Sequence, residues 1–173
     1  VQEFYESVDH SVLLSKLRSD QLLSATTMRL IERLLWDYAS AAGTAGRGLP
    51  RGVGLSAILS ELYMRDFDDR VSSLAAVAFF ARYVDDLIVL FSPTNGSTTD
   101  DYRKKVVEEL RHKRLLVNAS KSTEAPPASE LTYLGYKFRN ARSTSCTVLM
   151  SDAKFQKYKK RLDACFTRYN RQR

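Results

Sequence analysis

Long apolar runs are missing from this chain. No stretch approaches the ~20 consecutive apolar residues that cross a bilayer, so no membrane partner is expected. No secretory leader is expected either, since Val1 opens directly on acidic and aromatic residues. Cysteine is scarce: Cys146 and Cys165 are too few for a disulfide framework or a zinc site, which suits a reducing, cytoplasmic setting. With 4 Pro and 7 Gly, the few places where these residues gather stand out as loops. There is no internal repeat and no low-complexity segment. What remains is an ordinary globular composition, 44% hydrophobic and 27% charged, in 173 residues, enough for one domain with a sizeable core.

Negative charge is in deficit. The net charge is +7, and from Asp152 onward eight Lys and Arg stand against two Asp, so nearly all of the excess lies in the tail. A charge run is usually a solvated face. Concentrated in this way, it looks more like a surface for a polyanion's phosphates.

The most informative stretch is Phe79–Phe91 (FFARYVDDLIVLF). Two apolar runs of strand length, rich in β-branched and aromatic residues, flank the adjacent carboxylates of Asp85 and Asp86. Two acids held that close repel, and a hard divalent cation is the usual remedy. A polar hairpin tip is the plainer alternative.

The other elements are read in chain order. Val1–Val8 (VQEFYESV) predicts the end of a strand, and Asp9 an N-cap for a short helix through Leu17. Ser24 caps a second helix, with Met28, Ile31, Leu35 and Tyr38 at helical spacing. Ala41–Gly48 reads as a loop. Gly48–Ser56 (GLPRGVGLS) is a glycine-bearing loop suited to close approach by an anion, and the helix after it has Leu55, Ile58, Leu59, Leu62 and Tyr63 as its apolar stripe. Asp66, Asp68 and Asp69 look like a solvated helix end. Pro93–Ser97 is a turn, Thr98 or Thr99 caps a helix facing Tyr102, Val106 and Leu110 inward, and Leu115–Asn118 is a short strand. Glu124–Ser129 is an extended loop. Leu131–Phe138 and Cys146–Met150 pair as a hairpin around a polar loop. Asp152 starts a helix whose Phe155, Tyr158, Leu162, Cys165 or Phe166, and Tyr169 repeat beneath the basic residues.

Taken together, FYESVDH, GLPRGVGLSAILSELYM, YVDD, LLVNASK and LTYLGYKF resemble the ordered motifs of the reverse-transcriptase palm. The wording LPRG followed by SAILSELYMRDFD is most similar to bacterial defence-associated and abortive-infection enzymes, with group II intron and retron enzymes as relatives. The resemblance implies an α+β right-hand polymerase palm, an antiparallel sheet backed by helices, over residues 1–150. Residues 151–173 would start a basic helical thumb, with the fingers largely absent. It implies RNA-templated DNA synthesis with two Mg²⁺ ions (Mn²⁺ possible), an RNA template, a DNA, RNA or protein primer, and deoxynucleoside triphosphates. No oligomeric state follows.

The resemblance also assigns residues. Asp85 and Asp86 would hold the metals. Tyr5 falls where the family places the aromatic that excludes a 2′-hydroxyl, a core aromatic being the alternative. Phe4 sits beside it in the nucleotide-binding neighbourhood, though the opposite strand face makes it the better core candidate. Arg51 and Gly52 would face the incoming nucleotide. Lys121 would protonate the departing pyrophosphate, or be merely solvated. Tyr83, the primer grip with Leu134 and Gly135, and Lys157 and Lys160 of the tail would touch nucleic acid.

One departure matters. The family's first metal-binding Asp lies five residues before the sugar-gate aromatic, which places it just before Val1. Among Glu3, Glu6 and Asp9, strand parity would put Glu3 and Asp9 on the face of Tyr5, yet none has the family's spacing. A longer enzyme is therefore expected. A non-catalytic palm that binds nucleic acid or scaffolds a partner stays open, while a plain RNA-binding domain lacks the exposed aromatics of an RNA-recognition sheet.

Overall fold

The computed structural model describes residues 1–92, 96–126, 129–140 and 146–171. They form two compact units, Val1–Ser122 and Thr123–Arg173. Both combine helices with small antiparallel sheets, as the α+β expectation required. By compactness residues 123–150 thus go with the terminal helix, whereas the expected boundary at residue 150 is one of motif.

Helices dominate the first unit, and local capping decides where most of them begin. The Asp9 carboxylate accepts the Ser11 and Val12 N–H groups and starts α2 (His10–Asp20). Ser24 accepts the Thr27 N–H and starts α3 (Ala25–Ala42), which stops at Gly43 in the left-handed region, φ 64. Thr98 and Asp101 form a reciprocal capping box ahead of α5 (Thr99–His112). The helix α4 (Gly54–Ser72) lacks such a cap and depends on burial instead. Its inward line runs through Leu59, Tyr63, Met64, Phe67 and Val71, all at most 1% exposed. The expected stripe was right at Leu59 and Tyr63, but Ile58 points outward at 59% exposure. The core meets the 59–63–67–71 line, one step round the helix from Ile58.

Around α4 pack Leu13 and Leu17 of α2, Ile31 and Leu35 of α3, and Val106 and Leu110 of α5. The hairpin β1 (Val77–Tyr83) and β2 (Asp86–Phe91) is antiparallel, pairing Phe79 with Leu90 and Tyr83 with Asp86. Phe80 meets Phe67 edge to face, with ring centroids 6.2 Å apart, and so seats the hairpin on α4.

Three local expectations fail here. The strand expected over Val1–Val8 does not form: Glu3 turns left-handed at φ 42, and Phe4–Ser7 close one helical turn, α1. Parity arguments for Glu3, Tyr5 and Asp9 therefore lapse. Leu115–Asn118 is extended without a strand ladder and leads into a 3₁₀ turn at Ala119–Lys121. The loop expected from Ala41 begins only after Ala42, where α3 ends. Of the expected turn and loop, residues 93–95 and 127–128 lie outside the described residues.

In the second unit, β3 (Leu131–Tyr133), β4 (Tyr136–Asn140) and β5 (Cys146–Met150) form a meander in that order. The expected single strand Leu131–Phe138 is itself a hairpin, because Leu134 (φ 51) and Gly135 (φ 76) make a two-residue turn. The helix α6 (Asp152–Arg171) follows. Its Phe155, Tyr158, Leu162, Phe166 and Tyr169, read as a stripe beneath the basic residues, are each about half exposed. Periodicity reports an amphipathic helix, not what covers it.

One buried polar contact ties the first unit together. The fully buried Tyr63 hydroxyl donates to Lys113 O and accepts the Asp9 N–H at 3.4 Å. It thus links α4 to the start of α2 and the end of α5, and burial pushes the phenol up to about 12. Tyr63→Phe leaves that carbonyl without its donor, which should cost about 1–3 kcal/mol in urea unfolding. A variant as stable as the parent would show that the hydroxyl is dispensable.

Candidate functional site

At the hairpin tip only Val84 and Asp85 separate the paired residues Tyr83 and Asp86. Val84 takes φ 56, a conformation that costs a β-branched residue of order 1–3 kcal/mol. Its side chain packs against the core nonetheless. Asp85 is half-buried in the turn, and Asp86, exposed, opens β2. Tyr83, 64% exposed, presents a free ring surface beside them.

The start of the chain lies against this turn. The Val1 amino group donates to Asp85 O at 2.7 Å, and the Gln2 N–H to Leu116 O at 2.9 Å. Residues 1–2 therefore lie between the turn and the segment leading to Lys121. Among the described residues no cluster of three or more His, Cys, Asp or Glu could hold a metal ion. Asp85 and Asp86 do fit a hard cation as two of its oxygen ligands.

Beyond Gln2, the single turn α1 carries Phe4 and Tyr5. Phe4 is 2% exposed and enclosed in the core, which leaves it no face for a nucleotide and corrects its place among the expected contacts. Tyr5 is half-buried, edge to face with Phe4 at 5.7 Å between centroids. It holds the glycine-bearing loop: Tyr5 O accepts the Leu49 N–H at 2.8 Å, and Val8 O the Gly48 N–H at 2.8 Å. His10, which the sequence did not single out, donates from Nε2 to Gly48 O at 2.6 Å. In that loop Arg51 pairs with Glu6, with Nε 2.8 Å from Oε1. Gly52 has φ 78 and open space where a Cβ would stand, so its backbone conformation, and no packed neighbour, is what calls for glycine.

Other acids are engaged elsewhere. Asp9 Oδ1 caps α2, while Oδ2 accepts Arg114 Nη1 at 2.7 Å, leaving Asp9 5% exposed and in no position to join the hairpin acids. Asp66 and Asp68, expected to be merely solvated, bridge Lys16 with Lys113 and hold Arg82, respectively. In the second unit Lys154 covers the Leu134-Gly135 turn. Its Nζ donates to Leu134 O at 3.3 Å and lies 3.8 Å from the Tyr136 ring centroid. Lys157 and Lys160 are exposed on α6.

A family model described as Reverse transcriptase (RNA-dependent DNA polymerase) matches residues 1–138. The chain belongs to that family. No curated protein matches it. Among the described residues no helix is long and apolar enough to cross a membrane.

Asp9 yields a pH prediction. Burial raises its pKa, but hydrogen bonds from Ser11, Arg114 and the Val12 N–H outweigh this and hold it below the usual carboxylate range. A depressed folded pKa contributes stability above the unfolded value of about 3.9, and that stability is lost as pH falls below it. Urea midpoints should therefore drop below about pH 4, and Asp9→Asn, which can still cap α2, should flatten the drop. An unchanged acid slope would remove Asp9 from the account.

Proposed function

We propose that this chain carries the palm of an RNA-directed DNA polymerase, with the reacting centre at the Val84-Asp85 turn. The carrying observation is the meeting of three distant segments there: residues 1–2, the hairpin turn at Asp85, and Leu116 at the head of the stretch that leads to Lys121. Chance has no reason to gather the family's motifs around one pair of carboxylates. A residue joined to the Val1 nitrogen would stand beside Asp85, where the family's spacing puts the first metal-binding Asp.

In this reading Asp85 and Asp86 would hold two Mg²⁺ ions, or Mn²⁺ in their place, as hard oxygen ligands. The ions would supply charge stabilisation for in-line attack of a primer 3′-hydroxyl on the α-phosphate of a deoxynucleoside triphosphate. Tyr5 bounds the sugar and excludes a 2′-hydroxyl. Arg51 and Gly52 line the path of the incoming nucleotide, and Lys121 gives a proton to the departing pyrophosphate. Tyr83, Leu134, Gly135, Lys157 and Lys160 contact the template and primer, the lysines through phosphates and without reading sequence. Palm and thumb start divide by motif at residue 150. The wording of the loop and α4 supports a bacterial defence-type enzyme.

A second reading is a palm that binds or scaffolds without catalysis. It draws on the engagement of Asp9 with Arg114, which removes that acid as a third ligand. One experiment separates the two. In the full-length protein, Asp85→Asn should lower nucleotide incorporation on a primed RNA template by ~10³-fold or more, several kcal/mol of transition-state stabilisation, without moving the unfolding midpoint. Near-parental extension would sink the polymerase reading. Template binding without extension by the parent would favour the scaffold.

A further inference from the structure

A single cation interrupts the apolar strand ahead of the two acids. Arg82 lies on β1 with its side chain 5% exposed. A guanidinium has five N–H donors in a rigid planar fork, and all five are used here. Nε donates to Asp68 Oδ1 at 2.8 Å, and Nη2 to Asp68 Oδ2 at 2.6 Å and Glu61 Oε2 at 2.7 Å. Nη1 donates to Glu61 Oε1 at 3.0 Å and to Val84 O at 3.1 Å. Glu61 and Asp68 are seven residues apart on α4, two turns along one face. Burial works against the charge, but the two carboxylates outweigh it and push the pKa of Arg82 upward.

The fifth donor makes this arrangement more than an ion pair. Its acceptor is the carbonyl of Val84, the residue whose left-handed backbone sets up the turn at Asp85. That conformation is costly for valine and persists only where its surroundings over-determine it. Valine offers no side-chain hydrogen bond to stabilise the turn, so the carbonyl contact is an external hold.

We propose that Arg82 is a positioning residue that clamps the Val84-Asp85 turn to α4. The helix that follows the glycine-bearing loop is thereby coupled to the metal-binding acids. The role given to the turn rests on the polymerase reading, whereas the clamp itself can be measured without it. Lysine would keep the charge, but its three tetrahedral donors cannot hold two carboxylates and a carbonyl in one plane.

The test uses the full-length protein with Arg82→Lys, alone and combined with Val84→Gly, since glycine accepts positive φ without a clamp. Arg82→Lys should lower kcat by about 10–100-fold, the scale of an ångström-level misplacement, while KM for the nucleotide stays within about twofold of the parent. It should also weaken Mn²⁺-induced broadening of the Asp85 and Asp86 amide signals. Adding Val84→Gly should recover most of both losses. Parental kcat and broadening in Arg82→Lys, or losses that Val84→Gly does not repair, would overturn the clamp. If Arg82→Lys unfolds, Glu61→Gln, which weakens the clamp from α4, must show the same pattern in milder form, and its failure to do so counts equally against the proposal. A parent that incorporates nothing would overturn the polymerase reading instead, and the Mn²⁺ broadening then decides the clamp alone.

Discussion

Two carboxylates on neighbouring residues, one in a two-residue turn and one opening the strand after it, set the constraint that the first unit answers. Asp85 and Asp86 repel each other, and the turn that carries them puts a valine at φ 56. Neither feature stabilises the fold. Both are offset by what surrounds them: the Val84 side chain packs on the core, Phe80 meets Phe67, and Arg82 holds the turn's carbonyl from α4.

The same logic explains how separate stretches reach one place. Tyr63 fixes α4 against the ends of α2 and α5. The backbone from Tyr5 to Val8 holds the glycine-bearing loop, and His10 holds it from the other side. Residues 1–2 lie between the turn and Leu116. Each link is a backbone or buried hydrogen bond, the kind that sets position more sharply than apolar contact does.

Local chemistry was legible in the sequence. The caps at Asp9, Ser24 and Thr98, the inward faces of α3 and α5, and the hairpin around YVDD all depend on neighbours a few residues away. What depended on distant partners was not. Glu3 leaves the strand path because the chain must turn to bring Tyr5 against Leu49, and no nearby residue announces it. Asp66 and Asp68 read as solvated because Lys16, Lys113 and Arg82 come from other elements. Arg82 did carry a signal, a lone cation in an apolar strand facing two acids at helical spacing, but only the fold shows which of its donors meets the turn. The stripe on α6 was visible as periodicity, and periodicity is silent about burial.

The central claim is that residues 1–2, the Val84-Asp85 turn with Asp86 beside it, and the segment leading to Lys121 form one cation-dependent site. Paramagnetic broadening tests it directly, because substoichiometric Mn²⁺ marks amides near a bound ion even when binding is weak. The account predicts that signals of Gln2, Asp85, Asp86 and Lys121 broaden together, and that Asp85→Asn with Asp86→Asn abolishes the effect at all four. Broadening centred on Asp66 or Asp100, with the hairpin signals untouched, would contradict it.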